Sequence, residues 1–189
     1  MRDIFRLAAE LQSFIEERGW RFCFIGGLAL QRWGEPRVTR DVDLTLFTGF
    51  RNEGAVIDAL LEQYGPRIDD AAAFALENRV LLLQSGEGIG IDIALGGLPY
   101  EEAVVARSSL FEFLPGLSLR TCSAEDLVVL KAFADRSRDW ADIEGVVVRQ
   151  GETLDWGYVE TSLRPLVDVK GAPHILNRLA QVRRGRELL

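Results

Sequence analysis

The sequence predicts an α/β (α+β) fold in which strands and helices interleave through the first 120 residues and helices alone follow. Two observations carry this. Apolar runs of strand length, bounded by Gly, Pro and Asp, recur as far as Arg120. Beyond Ser123 the apolar residues recur at helical intervals and strand signals cease. The segment Arg120 to Ser123 therefore divides an α/β core, residues 1–120, from a helical C-terminal lobe, residues 121–189.

Each element follows from its pattern. Ile4, Leu7, Ala8, Leu11, Phe14 and Ile15 share one face of an amphipathic helix over 2–18. Trp20 to Ile25 is a strand, Leu28 to Trp33 a short helix, and Val42 to Phe47 a second strand. Val56, Ile57, Leu60 and Leu61 mark a helix that ends near Tyr64-Gly65-Pro66. Arg79 to Gln84 and Ile89 to Leu95 are strands joined by the turn Gly86-Glu87-Gly88. Phe111 to Leu114 and Leu117 to Arg120 form a hairpin around Pro115-Gly116. Ser123 is an N-cap with Asp126 in place of the boxed Glu, and helices follow near 124–135, 138–149, 155–167 and 172–187.

The chemistry concentrates between Phe22 and Phe47. Gly26-Gly27 lies where a strand hands over to a helix, so the main chain turns sharply and a ligand can approach it. The helix N-terminus behind it offers free N–H groups and a positive dipole end, which suits phosphate. After a gap of thirteen residues from Gly27, Asp41 and Asp43 stand two apart in an apolar strand, so both carboxylates project from one face. Two such charges repel unless a hard cation with oxygen ligands compensates. Phosphate cradle and paired carboxylates together read as a nucleoside triphosphate with magnesium. Asp92 is a lone acid in the apolar run Ile89 to Leu95, costly there unless ligated or paired.

The pattern Gly26-Gly27, a gap, then Asp41-Val42-Asp43-Leu44 resembles the signature of the DNA polymerase beta-like nucleotidyltransferase superfamily. The local form Pro36-Arg37-Val38-Thr39-Arg40-Asp41-Val42-Asp43 is similar to the branch of AbiEii-type toxins. The resemblance covers roughly residues 20–145 and implies a mixed β-sheet flanked by helices. It implies a third metal carboxylate on a strand beside the first two, and Asp92 is the acid that fits. Asp41 and Asp43 would bridge two Mg2+ ions. Asp92 would hold one of them and accept or relay the proton of an attacking hydroxyl, which displaces pyrophosphate from the α-phosphate. The branch also has a lysine, seven residues, then an aspartate, matched by Lys131 and Asp139. Lys131 lies among Leu127, Val128, Leu130 and Phe133 with an ammonium able to reach a triphosphate. Asp139 either faces the nucleotide or caps the next helix, with Asp142 at its third position. Arg37, near Thr39 and Arg40, binds phosphate, orients Asp43 by a bidentate pair, or is a plain surface residue. Trp33 and Trp140 read as core or as base-stacking residues, Asp126 and Asp135 as solvated acids. Gly26-Gly27 replaces the Gly-Ser of several relatives and removes a hydroxyl that can touch phosphate.

Composition narrows the class. A net charge of −7 opposes broad, non-specific nucleic-acid binding. Lys170, Arg178, Arg183, Arg184 and Arg186 against Glu187 form either a solvated helix face or a patch for an RNA acceptor or acidic partner. No apolar run reaches the roughly 20 residues of a membrane span, and no signal-peptide core is present. Cys23 and Cys122 read as buried free thiols, so no disulfide-linked partner is expected and the chain is expected to be cytoplasmic. The lone His174 excludes the usual zinc site. Three functions fit: a nucleotidyltransferase acting on RNA or protein, possibly with an antitoxin partner; one acting on a small, aminoglycoside-like molecule; or an inactive nucleotide-binding interaction module.

Overall fold

The computed structural model describes residues 2–186, with the side chains of the first and last of these left aside. The elements run α1 (Arg2–Glu16), β1 (Arg21–Phe24), α2 (Gly26–Trp33), β2 (Asp41–Phe47), α3 (Glu53–Gln63), β3 (Gly65–Pro66), α4 (Ala71–Asn78), β4 (Val80–Gln84) and β5 (Gly90–Gly96). They continue with α5 (Pro99–Ala106), β6 (Ser109–Leu114), β7 (Leu117–Thr121), α6 (Ala124–Ala134), α7 (Ser137–Gln150), α8 (Trp156–Lys170) and α9 (His174–Arg186), with a single 3-10 turn at Gly151–Thr153. Two compact units result. One holds the chain up to Leu28 together with Val38–Cys122; the other holds Ala29–Arg37 and the chain from Ser123 onward. The segment Ala29–Arg37 thus groups with helices a hundred residues later, which chain order alone does not show.

The first unit is built on a mixed seven-stranded sheet of order β3-β4-β5-β2-β1-β7-β6. β2 runs parallel to β5 and antiparallel to β1, and β4–β5 is the hairpin the Gly86–Gly88 turn predicts. Strand alternation separates the two sheet faces. Val42, Leu44 and Leu46, with Leu81, Leu83, Ile91, Ile93 and Leu95, are buried in one apolar cluster with Leu11 and Ile15 of α1 and Ile57 and Leu60 of α3. Burying each such side chain contributes on the order of 1.5–3 kcal/mol, so this face fixes the register of β2 and β5. Asp41, Asp43 and Asp92 are thereby turned to the opposite face.

Three elements escape the sequence patterns. The Ala-rich α4 and the short α5 carry little apolar periodicity to read, and β3 is a two-residue edge strand visible only through its pairing with β4. Cys23 and Cys122 are both buried.

The second unit is helical. Ser123 caps α6 as expected, its hydroxyl oxygen accepting from the Asp126 amide at 3.1 Å. Leu127, Val128, Trp140, Ile143, Val146, Val159, Leu163 and Ile175 are buried in this unit. Trp140 is core, its indole N–H donating to Asp135 at 2.7 Å. Two expectations are corrected. Asp126 is not solvated: it is fully buried and accepts from the Tyr158 and Ser123 hydroxyls, each at 2.7 Å. Asp135 is only partly solvated, 21% exposed, with Trp140 and His174 on its two oxygens at 2.7 and 2.8 Å. Of the basic stretch, Arg183 pairs with Glu160 and Arg178 lies over the Trp140 ring, while Glu187 lies outside the described residues.

Candidate active site

The carboxylate row is set by strand register. Asp43 and Asp92 are direct partners across the parallel β2–β5 pair, and Asp41 stands opposite Gly90. Cα partners on parallel strands point the same way roughly 4.8 Å apart, so Asp43 and Asp92 are side-by-side neighbours, with Asp41 two positions along on the same face. Asp41 is exposed, and Asp43 and Asp92 are partly buried.

The glycine pair meets this row. The helix α2 begins at Gly26 itself, two residues earlier than the Leu28 start the sequence suggests. Gly26 takes φ +54°, and a Cβ there would overlap the Asp43 carboxylate. A Cβ on Gly27 would overlap the Thr39 side chain. Only glycines let the start of α2 close against Asp43 and Thr39. The Ile25 amide bonds the Asp43 carbonyl at 2.9 Å and fixes the approach. The first N–H groups of a helix lack intrahelical acceptors, so anion-binding donors and metal-type carboxylates lie side by side.

The electrostatics of Asp92 are unusual. Burial pushes its carboxyl above the ordinary carboxylate range, the Asp41 charge adds to the rise, and the Arg67 guanidinium opposes it without cancelling it. Arg67 Nη2 lies 2.5 Å from Asp92 Oδ1, yet that buried oxygen has no aligned hydrogen-bond donor among the described residues. Among the described residues no three carboxylate, histidine or cysteine side chains are drawn together as a metal cluster. The donor set nevertheless suits a hard cation: oxygen ligands on one sheet face, one of them buried and short of hydrogen bonds. Arg67 is the residue that sequence reasoning passes over, because nothing in Gly65-Pro66-Arg67 announces a strand edge.

The other expected site residues lie in the helical unit. Lys131 is buried, with its Nζ 3.1 Å from Asp139 Oδ1 and 2.6 Å from Asp142 Oδ2. Arg37 grips Asp142 with its Nε and Nη2, both at 2.8 Å. Arg136 adds a bond to Asp139 at 2.7 Å. Asp139 is not an N-cap: α7 starts at Ser137, and Asp139 is its third residue, buried and fully engaged. Burial raises the proton affinity of Asp142, but bonds and charge from Arg37 and Lys131 outweigh it and hold the carboxyl below the usual range. Asp142 is the member that the sequence does not single out, although its place three residues after Asp139 puts both on one helix face.

The comparisons agree with this fold. Residues 15–184 match the family model described as nucleotidyl transferase AbiEii toxin, type IV TA system. The solved structure of the antibiotic-resistance factor ANT(2'')-Ia aligns at TM-score 0.56 and 15% identity, over 90% of this chain and 94% of that one. An antigenic nucleotidyltransferase-like protein from Paracoccidioides brasiliensis aligns at TM-score 0.50 and 16% identity, over 95% of this chain and 93% of that one. No curated protein matches the chain.

Proposed function

Because the chain belongs to the AbiEii nucleotidyltransferase toxin family, we propose that it moves a nucleoside monophosphate from a nucleoside triphosphate to a hydroxyl of an RNA or protein acceptor, as the toxin of a toxin–antitoxin pair. One observation supports this most: three aspartates share one sheet face beside a glycine-started helix. Asp41, Asp43 and Asp92 would hold Mg2+. When bound, the metal supplies Lewis-acid polarisation of the phosphoryl oxygens and neutralises the leaving charge.

The chain's own residues do the rest. Gly26 and Gly27 admit the triphosphate to the N-terminus of α2, whose amides bind its oxygens. Thr39, against Gly27, offers a hydroxyl to the same phosphates. Asp92, side by side with Asp43 on the same sheet face, takes the proton of the acceptor hydroxyl. The hydroxyl oxygen bonds to the α-phosphorus, the bond to the β-phosphate oxygen breaks, and pyrophosphate leaves. The family resemblance assigns triphosphate binding to Lys131, Arg37 and Asp139, which the helical unit draws together around Asp142. To bind there the Lys131 ammonium exchanges a carboxylate partner for a phosphate oxygen.

The test is incubation of the purified chain with each α-labelled nucleoside triphosphate, Mg2+ and cell extract. Label in an RNA or protein fraction supports the reading. Label in small molecules alone transfers the assignment to a small-molecule acceptor. No label with any triphosphate, with or without extract, rejects it.

A further inference from the structure

The sheet carries a cation across from its aspartates. The Arg67 amide bonds the Leu82 carbonyl at 3.0 Å, Leu82 partners Asp92, and Asp92 partners Asp43. Arg67, Leu82, Asp92 and Asp43 therefore form one transverse row over β3, β4, β5 and β2. The Arg67 side chain reaches over Leu82 and brings Nη2 to 2.5 Å from Asp92 Oδ1. Its Nη1 sits over Gly90, where an added Cβ would lie 2.5 Å from both Nη1 and Asp41 Oδ1. The guanidinium is thus ion-paired with Asp92 and lies, at Gly90, on the side where the Asp41 carboxylate also lies. The backbone is pinned at the sheet edge, but the side chain is one-third exposed and can swing away without disturbing the strand.

Resting on the metal reading above, we propose that Arg67 is a positioning residue: an internal counter-cation seated on Asp92 and close to Asp41, which a divalent ion must displace to bind. A guanidinium and a hard divalent ion compete for the same oxygens, and at a few ångströms they repel. The free chain then binds divalent ions weakly. A triphosphate, by drawing Arg67 to its own oxygens, opens the carboxylates to the metal and couples the two ligands.

The experiment is calorimetric titration of Mn2+ into the nucleotide-free full chain. Wild type is compared with Arg67→Met, which keeps the stem and removes the charge, and with Asp43→Ala. Arg67→Met is expected to bind Mn2+ roughly tenfold or more tightly than wild type, as loss of a full charge beside the ion implies. Asp43→Ala is expected to abolish binding. Equal or weaker affinity in Arg67→Met, with Asp43→Ala still inactive in binding, overturns the Arg67 assignment and leaves the metal reading standing. Undiminished binding in Asp43→Ala overturns both, as does no binding by any of the three. A second readout uses the unaltered chain. The Arg67 Nε–H signal in nitrogen-15 spectra is expected to be protected without metal and to move to solvent-exposed exchange at saturating Mg2+. An unchanged signal overturns the proposal even if Arg67→Met fails to fold.

Discussion

At the scale of single residues, charge placement decides both chemistry and stability. Asp43 sits against Gly26 and beside Asp92, on the face away from the apolar cluster. Asp43→Ala is therefore expected to abolish nucleotidyl transfer in the labelling assay while the circular-dichroism spectrum is unchanged and the unfolding free energy stays within about 1 kcal/mol of wild type, since it removes like-charge repulsion. Retained transfer in that variant would refute the mechanism. Asp142 gives a pH signature. Its folded-state proton affinity lies below that of a free aspartate, near pH 4. The stability it contributes is complete above that value and is lost as pH falls through the lower folded-state value. Denaturation followed from pH 5 downward should show a steep loss below about pH 4, and Asp142→Asn should flatten that slope. Asp92 has the opposite sign, since its raised value favours the folded state only while it is protonated. An identical slope in Asp142→Asn would show that other acids, such as Asp135 and Glu53, carry the effect.

At the scale of elements, two junctions hold the geometry. The first is the start of α2. Gly26→Ala places a methyl in the Asp43 carboxylate at a positive φ. Transfer should fall by orders of magnitude and stability by about 1–3 kcal/mol, measured by initial rates and urea melts. A fully active Gly26→Ala would mean that α2 does not need to approach Asp43 this closely. The second is the buried ion network joining α6 and α7. Lys131 faces Asp139 and Asp142 at 3.1 and 2.6 Å, and removing it leaves two buried carboxylates without their shared cation. Lys131→Ala is expected to destabilise the chain by about 3–5 kcal/mol in chemical denaturation. Titrating triphosphate against the same variant separates the roles. Lost affinity with an unchanged melting temperature would make Lys131 a ligand residue alone and contradict the network account.

At the scale of the whole molecule, net charge and apolar distribution bound what the protein touches. With −7 overall, the chain should show no measurable binding to random-sequence duplex DNA at physiological salt in a gel-shift assay. A micromolar complex that weakens steeply with salt would show that the basic residues of α9 act as a patch despite the pairing of Arg183 with Glu160. No helix among the described residues is long and apolar enough to cross a membrane.

Sequence by itself determined the strands and helices with strong periodicity, the Ser123 cap, and the aspartates that turn from the core. Those features are local: a period of two in β2 and β5 or of 3.6 in α1 needs no knowledge of distant residues. Only tertiary structure decided which residues meet. Asp92 became the neighbour of Asp43 through the register of two strands 49 residues apart, counting from Asp43 to Asp92. Arg67 joined them through an edge strand too short to leave a pattern, and Arg37 found Asp142, 105 residues along the chain. Asp126 and Asp135 read as solvated because a helical pattern does not reveal hydrogen-bond partners on other helices, and Tyr158, Trp140 and His174 supply them. Pairing of charges across elements depends on packing that buries them together, and that is settled only when the apolar faces have chosen their partners.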